Sequence, residues 1–190
     1  IVAILGPSGC GKTTLLKSLL GLEQHERGTI LLDAQAQQKW LTKNRIAYVP
    51  QRYANFVHLT VEQNILTAQK HANHINHSAV KRLLKNVGLD RHAHAYPSQL
   101  SGGMQQRLAL ARALAQDTDI IAFDESLNSL DVETRHQMQE LLLELWAEHP
   151  KTIAFVTHDI EEALFISHRV VVMGTSPGVV RDVIDVGRKR

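Results

Sequence analysis

Apolar residues in this chain form continuous runs that alternate with segments of helical periodicity. The runs are rich in Val, Ile and Phe, and they are "IVAIL" (1–5), "RIAYVPQ" (45–51), "DIIAFDE" (119–125), "TIAFVTHD" (152–159) and "RVVVM" (169–173). Such runs without polar alternation are typical of strands that are buried on both faces of a sheet. We therefore predict an α/β fold in which helices flank a mostly parallel sheet. A further strand entering a turn is predicted at "RGTILLDAQ" (27–35).

Helix start and stop signals separate these strands. The first helix places the leucines between Leu15 and Leu20 on one face and ends at Gly21. Asp131 is predicted to be the N-cap of a helix over 132–148, and Asp159 the N-cap of "DIEEALFIS".

Between residues 52 and 115 every strong pattern is helical. Thr60 and Gln63 form a capping box before "TVEQNILTAQK", Gly88 stops "SAVKRLLKNVGL", and "LSGGMQQRLALARALAQ" is amphipathic. We therefore predict a helical subdomain over 52–115 that is inserted into a core formed by residues 1–51 and 116–190.

Composition narrows the class of protein without identifying it. The 190 residues, 44% hydrophobic and 21% charged, are typical of one globular domain. The net charge of +2 does not indicate nucleic-acid binding, and there is no apolar run long enough to span a membrane. The single cysteine, Cys10, cannot form an internal disulfide and is not predicted to be a catalytic thiol. Because the chain begins inside a strand, we expect it to be N-terminally truncated.

The 11 histidines show no zinc-site spacing. Most lie in scattered polar segments, which we interpret as solvent-facing. The examples are His71, His74, His77, His92 and His94.

A glycine-rich stretch between the first strand and the first helix predicts phosphate binding. Gly6, Gly11, Lys12 and Thr13 fit G-x-x-x-x-G-K-[ST], in which backbone N–H groups surround an anion. The lysine reaches the β- and γ-phosphates and the hydroxyl binds Mg²⁺, while the following helix N-terminus favours negative charge. The alternative is a chance match in a glycine-rich turn.

Two further segments carry candidate chemistry. Asp124 and Glu125 end a buried strand, where one carboxylate can hold Mg²⁺ and the other can orient or deprotonate a water; alternatively they are a surface or helix-capping pair. Ser101, Gly102 and Gly103 begin a helix, either as a simple cap or as a second anion site. A protein with one nucleotide needs only one such site, unless the other serves a neighbouring subunit.

Taken in order, these segments resemble the nucleotide-binding domain of ABC (ATP-binding cassette) transporters over nearly the whole chain. The motifs are "GPSGCGKT" (P-loop), "YVPQ" with Gln51 (Q-loop), "LSGGMQQR" (signature), "IIAFDE" (Walker B), "LNSLD" (D-loop) and "VTHD" with His158 (switch histidine). Two positions depart from the usual pattern, because Met104 replaces a Gln and Ser126 replaces a Pro.

The resemblance implies a role for each motif residue. ATP and Mg²⁺ would be held by the P-loop, whose residues are Gly6, Pro7, Ser8, Gly9, Cys10, Gly11, Lys12, Thr13 and Thr14. It further implies that Gln51 contacts Mg²⁺ or the water, that Asp124 supports Mg²⁺, that Glu125 is the general base, and that His158 contacts the γ-phosphate. Ser101, Gly102 and Gly103 would close over the ATP of a partner subunit, with Asp131 in the loop that joins the two sites.

The family's biology follows from the same resemblance. It implies a head-to-tail homodimer, peripheral on the cytoplasmic side of the inner membrane, with permease subunits, a substrate-binding protein and no nucleic-acid partner. Tyr53, Phe56 and Val57 are candidate permease contacts, or else they pack the helical subdomain. "VTHDIEEALFISHRVVVMGTSPGVV" is similar to ATPases of nitrate, taurine, sulfonate and thiamine-precursor importers. The alternatives are a soluble ABC protein that acts on DNA or the ribosome, and a regulatory ATP-binding module.

Overall fold

A computed structural model describes residues 1–70, 75–128, 130–175 and 178–187. His71 and His74, two of the histidines interpreted as solvent-facing, lie outside the described residues. Ser176 and Pro177, in the segment that is similar to importer ATPases, also lie outside them. His77, His92 and His94 are exposed, as predicted.

A six-stranded sheet forms the centre of the molecule. Its strands are β1 (Val2–Leu5), β4 (Ile46–Val49), β5 (Ile120–Asp124), β6 (Thr152–Thr157), β7 (Arg169–Gly174) and β8 (Val179–Asp185), in the order β4-β5-β6-β1-β7-β8. The first five in that order pair in parallel, and β8 pairs antiparallel with β7. The predicted mostly parallel sheet is therefore confirmed, and β8 is a strand that the sequence patterns did not predict.

Seven α-helices surround the sheet within the described residues. They are α1 (Lys12–Leu19), α2 (Gln37–Leu41), α3 (Val61–Lys70), α4 (His77–Asn86), α5 (Gly102–Leu114), α6 (Val132–Glu148) and α7 (Ile160–Ile166). None of them has the length and apolar character that crossing a membrane requires.

The predicted helix caps are confirmed. The Asp131 carboxylate accepts a hydrogen bond from the Thr134 amide at 2.9 Å, and α6 has the predicted bounds. Asp159 accepts in the same way from the amide of Glu162 at the start of α7. The capping box before α3 is also present, with both of its hydrogen bonds formed.

The strand entering a turn that was predicted within 27–35 is present as the first half of a small hairpin. Two strands of two residues each, β2 (Leu31–Leu32) and β3 (Gln35–Ala36), pair antiparallel. Asp33 and Ala34 join them with φ of 49° and 59°, the left-handed region that a tight turn requires. The predicted strand entering a turn is therefore confirmed at Leu31–Leu32, although it is shorter than the quoted segment, and the return strand β3 was not predicted.

The parallel strands are largely buried, with apolar cores on both faces, as their apolar runs predicted. On one face Ile121 and Phe123 pack into a large core that also contains Ile65 of α3 and Leu108 of α5. On the other face Ala122 joins a smaller cluster around α1. The helices between β4 and β5 therefore share one continuous core with the sheet, and each fully buried side chain of this size contributes about 1.5–3 kcal/mol.

Candidate nucleotide site

The P-loop connects β1 to α1, so the central strand delivers it to the edge of the sheet. Gly9 and Gly11 have φ of 79° and 96°, and a Cβ on either would meet no atom within 4 Å. Gly6 differs, because a Cβ there would lie 2.7 Å from the Met173 carbonyl oxygen and 2.8 Å from Cys10 Sγ. One side of the loop is thus packed on the sheet while the other leaves an open, amide-lined cradle.

The side chains of the loop divide between these two sides. Pro7, Ser8 and Gly9 are exposed, whereas Cys10 is buried in the cluster around α1. Lys12 is buried, and its Nζ donates to the Pro7 carbonyl at 3.0 Å, so the ammonium lies over the cradle. Because α1 begins at Lys12, the amides of Lys12, Thr13 and Thr14 lie in its first turn and have no hydrogen-bond acceptor within the helix. Because the Cys10 side chain is buried, only the backbone of this residue can contact a bound anion.

Thr13 and Asp124 converge although 111 positions separate them. The Thr13 hydroxyl donates to Asp124 Oδ1 at 2.8 Å, and the Tyr48 hydroxyl donates to Oδ2 at 2.9 Å. Burial, followed by the hydrogen bond to the Asp124 carboxylate and that carboxylate's charge, raises the pKa of the Tyr48 phenol, which therefore remains a donor. These contacts exclude the alternative that Asp124 is a surface carboxylate.

Glu125 occupies the turn that follows β5. Its φ is 47°, in the left-handed region, and its amide donates to the Val156 carbonyl oxygen at 3.0 Å. This backbone conformation directs the carboxylate back to the P-loop, where Oε1 is 3.2 Å from Lys12 Nζ. A strained backbone at a non-glycine residue is a feature that functional sites often retain.

His158 follows the next strand, β6, and faces the same carboxylate. Its Nδ1 is 3.6 Å from Glu125 Oε2. Asn128, which lies between them, donates from Nδ2 to Glu125 Oε2 at 3.1 Å, and the same Nδ2 is 3.3 Å from His158 Nδ1. The neighbouring strands β5, β6 and β1 therefore bring Glu125, His158 and Lys12 together at their carboxyl ends.

Gln51 is placed differently from the other predicted site residues. It lies two positions beyond the end of β4 and is exposed. Within the described part of the chain, no hydrogen bond joins it to Thr13 or Asp124.

A cavity of about 510 Å³ lies at the N-terminus of α5. Ser101, Gly102, Gly103 and Asp131 line it, together with residues that include Tyr53 and Thr134, and no P-loop residue is among its described lining. Ser101 Oγ accepts from the Met104 amide at 3.3 Å. Ser101 is therefore a helix cap, which is one of the two interpretations given for it. Its hydroxyl proton is still available for a second acceptor, as an anion site would require.

The segment after Gln51 is held by α5. Arg112 donates to the Ala54 carbonyl oxygen, and its guanidinium carbon is 4.3 Å from the Phe56 ring centroid. Phe56 and Val57 are exposed, Val57 by 71% of its surface, whereas Tyr53 faces the cavity at Ser101. Of the three candidate permease contacts, two therefore share an outward surface and one does not.

Sequence reasoning did not identify Tyr48 or Asn128 as site residues. Tyr48 lies within the quoted "YVPQ" segment, where a phenol in a buried strand could have indicated a polar partner. Asn128 lies three positions after Glu125, a spacing that places the two residues in one turn.

Comparison with known proteins agrees with this geometry. A family model described as ABC transporter matches residues 1–128. The aliphatic sulfonates import ATP-binding protein SsuB of Bacillus cereus is 40% identical over 184 residues, covering 97% of this chain and 72% of the relative. SsuB 2 of Pseudomonas syringae is 42% identical over 187 residues, covering 98% of this chain and 76% of the relative.

A solved structure extends the likeness to the fold. The dimeric post-hydrolysis state of the ATP-binding cassette MJ0796, bound to ADP and Pi, matches with a TM-score of 0.83 and 30% identity. The match covers all of this chain and 86% of that one. The resemblance inferred from the motifs is thus confirmed. The chain belongs to the ABC transporter family, as one of its ATP-binding, ATP-hydrolysing cassettes.

Proposed function

We propose that this ATPase powers small-solute import through membrane permease subunits, and that it works as a head-to-tail homodimer holding two ATP molecules. One observation supports the proposal: in a single chain, the P-loop group and the cavity at the α5 N-terminus are lined by different residues, although both combine glycines with a helix N-terminus. Each is half of a nucleotide sandwich, so two copies related by a twofold axis complete both sites, because the P-loop of each copy then faces the Ser101 cavity of the other. The relatives named for sulfonate import and the dimeric solved neighbour support this arrangement.

The P-loop half binds the ATP phosphates. The amides of Gly9, Gly11 and the first turn of α1 surround the β-phosphate, and the space beside both glycines is open to 4 Å. Lys12 neutralises charge on the β- and γ-phosphates. The γ-phosphate then competes with Glu125 for the Lys12 ammonium, which frees that carboxylate for the reaction.

Thr13 and Asp124 fit a Mg²⁺ ion. A hydroxyl and a carboxylate oxygen 2.8 Å apart are the hard oxygen donors that Mg²⁺ takes, and it prefers one or two protein groups plus phosphate and water. Tyr48 orients the Asp124 carboxylate, and Gln51 is the proposed flexible contact to the metal or the water. When bound, the ion neutralises phosphate charge as it develops.

Glu125 acts as the general base in this proposal. It accepts the proton of the water that attacks the γ-phosphate, while His158 donates a hydrogen bond to a γ-phosphate oxygen. Ser101 and Gly103 of the partner chain contribute a hydroxyl proton and an amide to the same phosphate. Asp131, which caps α6 beside the Ser101 cavity, links the two half-sites.

The proposed division of the chain follows the predicted one. Residues 1–51 and 116–190 form the nucleotide-binding core, and 52–115 form the helical subdomain that carries the signature. Permease subunits, served by a substrate-binding protein, contact the surface at Phe56 and Val57, so that the cassette lies peripherally on the cytoplasmic face of the membrane. Arg112 transmits that contact to α5, whose N-terminus is the signature.

Replacing the base tests the reaction. Glu125→Gln should lower phosphate release by about 10²–10⁴-fold and should accumulate an ATP-bound dimer on size-exclusion chromatography. Glu144→Gln, an exposed glutamate on α6, is the matched control and should release phosphate like the parent chain. Unchanged turnover in Glu125→Gln would refute the assignment of Glu125.

A second substitution tests the shared site. Adding Ser101→Arg to Glu125→Gln should abolish the ATP-dependent dimer while leaving ATP binding by the monomer intact, because Ser101 acts on the partner's nucleotide. A loss of monomer binding would instead place Ser101 at its own chain's ATP. Copurification with permease subunits tests the transport assignment, and association with ribosomes or DNA would contradict it.

A further inference from the structure

We propose that Asn128 is a positioning residue that fixes the tautomer of His158 and the orientation of Glu125. The inference rests on the proposed function, in which these two side chains act on the γ-phosphate and its water. The backbone amide of Asn128 donates to the Glu125 carbonyl oxygen at 3.3 Å, so one turn holds the two residues. Its half-buried side chain then reaches both catalytic groups.

The carboxylate determines which way the Asn128 amide faces. An ionised carboxylate can only accept hydrogen bonds, so the atom 3.1 Å from Glu125 Oε2 must be a donor. That atom is Nδ2. The opposite orientation would place Oδ1 against Oε2, two acceptors in contact without a proton between them.

The same donor determines the protonation of His158. Nδ2 carries two hydrogens, one directed to Glu125 and the other to His158 Nδ1 at 3.3 Å. A nitrogen that accepts a hydrogen bond carries no proton, so the neutral ring has its proton on Nε2. The 3.6 Å separation between His158 Nδ1 and Glu125 Oε2 is too long for these two atoms to hydrogen-bond directly.

The chemical consequence is a histidine prepared to donate. With Nδ1 occupied by Asn128, the Nε2–H group is available for a phosphate oxygen without a change of tautomer. Asn128 also holds Oε2 of Glu125, which leaves Oε1 as the oxygen that can receive a proton once Lys12 is engaged by phosphate. Asn128 touches neither reactant itself and acts through its two neighbours.

Isosteric and truncated variants separate this role from simple packing. Asn128→Asp keeps the shape but puts a carboxyl oxygen in the place of Nδ2. That oxygen shares a proton with Glu125 Oε2 and can then only accept a hydrogen bond from His158, so the ring places its proton on Nδ1. Asn128→Ala removes the donor without imposing the opposite tautomer. We expect kcat to fall in the order parent, Asn128→Ala, Asn128→Asp, with the alanine variant about ten- to a hundredfold below the parent and KM for ATP nearly unchanged. A residue that only filled space would give the reverse order for the two variants.

A spectroscopic measurement tests the tautomer without relying on turnover. Ring ¹⁵N–¹H correlation spectra are recorded above the pH at which free imidazole is neutral, and the His158→Gln variant identifies the His158 signals. The parent should show an unprotonated Nδ1 and a protonated Nε2, and Asn128→Asp should transfer the proton to Nδ1. Asn86→Ala, at the exposed end of α4, is the control and should leave both the spectrum and kcat unchanged.

The outcomes are distinct. A parent His158 protonated on Nδ1, or the same tautomer in the parent and Asn128→Asp, would overturn the proposal, and so would higher kcat in Asn128→Asp than in Asn128→Ala. Failure of the proposed function is recognised separately, because a parent chain that does not release phosphate could still show the expected spectra.

Discussion

A steric contact between the signature and α6 allows a sharp test of how Gly103 is used. A Cβ at Gly103 would lie 2.8 Å from Thr134 Cγ2, closer than such atoms approach in practice. Overpacking of this kind costs about 1–3 kcal/mol. Replacing glycine by alanine in a helix gains up to about 1 kcal/mol, because the unfolded glycine has more freedom to lose.

The two effects predict opposite signs in two backgrounds. In the parent chain Gly103→Ala should destabilise by about 1 kcal/mol net, which lowers Tm by about 2–4 °C for a chain of this length. In a Thr134→Ser background the clashing methyl group is gone, while the amide that donates to Asp131 remains. There Gly103→Ala should raise Tm slightly, because only the helix-propensity gain is left.

Thermal and urea denaturation of the parent chain, Gly103→Ala, Thr134→Ser and the double variant measure this double-mutant cycle. The reasoning is refuted if Gly103→Ala has the same effect on stability in both backgrounds. ATP hydrolysis provides an independent comparison, since we expect the alanine to lower turnover in both. A methyl group at position 103 covers the amide that the proposed function directs at the partner's phosphate, and Thr134→Ser does not uncover it.

Three further expectations concern buried polar groups and the segment after the Q-loop. Ser126 is fully buried and its hydroxyl has no described partner, so Ser126→Ala should raise the free energy of unfolding by about 1 kcal/mol in urea titrations. Burial raises the pKa of the Glu162 carboxyl, with hydrogen bonds from Thr157 and Gln139 opposing the shift. The folded chain therefore binds this proton more tightly than the unfolded chain. Its stabilising contribution is complete below the unfolded pKa and is lost as pH rises through the folded pKa; Glu162→Gln should flatten that part of the stability curve in denaturation at several pH values. Arg112→Lys, which cannot keep both the carbonyl contact and the stacking on the Phe56 ring, should increase proteolysis between residues 52 and 58, whereas unchanged cleavage would contradict the clamp.

The elements that the sequence predicted well are those whose signals are local. The helix over 132–148 begins at a capping aspartate and continues for 17 residues. The parallel strands are mostly apolar because both of their faces are buried. β8 was missed because its charged residues, Arg181, Asp182 and Asp185, follow neither strand alternation nor a continuous apolar run, and because it is largely exposed at the sheet edge. α2 was missed because five residues are too few for periodicity. Its stability comes from tertiary contacts, chiefly the burial of Trp40, whose indole donates to Asp33 at 2.8 Å.

The candidate site shows the same division. Motif patterns predicted Lys12, Asp124 and Glu125 as site residues, because each belongs to a pattern that a single segment contains. Tyr48 and Asn128 could not be identified in that way, because their importance lies in hydrogen bonds to side chains whose positions depend on the strand order and on the turn after β5. The strand order itself depends on long-range pairing, which apolar runs do not specify.

The adjacency of β5, β6 and β1 has a consequence for how such a site can change. Hydrogen-bonded strands are about 4.8 Å apart, so the sheet spaces the backbone positions that lead to Glu125, His158 and the P-loop in fixed increments. Moving any of these groups to the next strand would displace its backbone by a whole increment, so the contacts of that group would have to be rebuilt with different side chains. Substitution within each turn is thus the available route for tuning the reaction, and relocation of a catalytic group between strands is not.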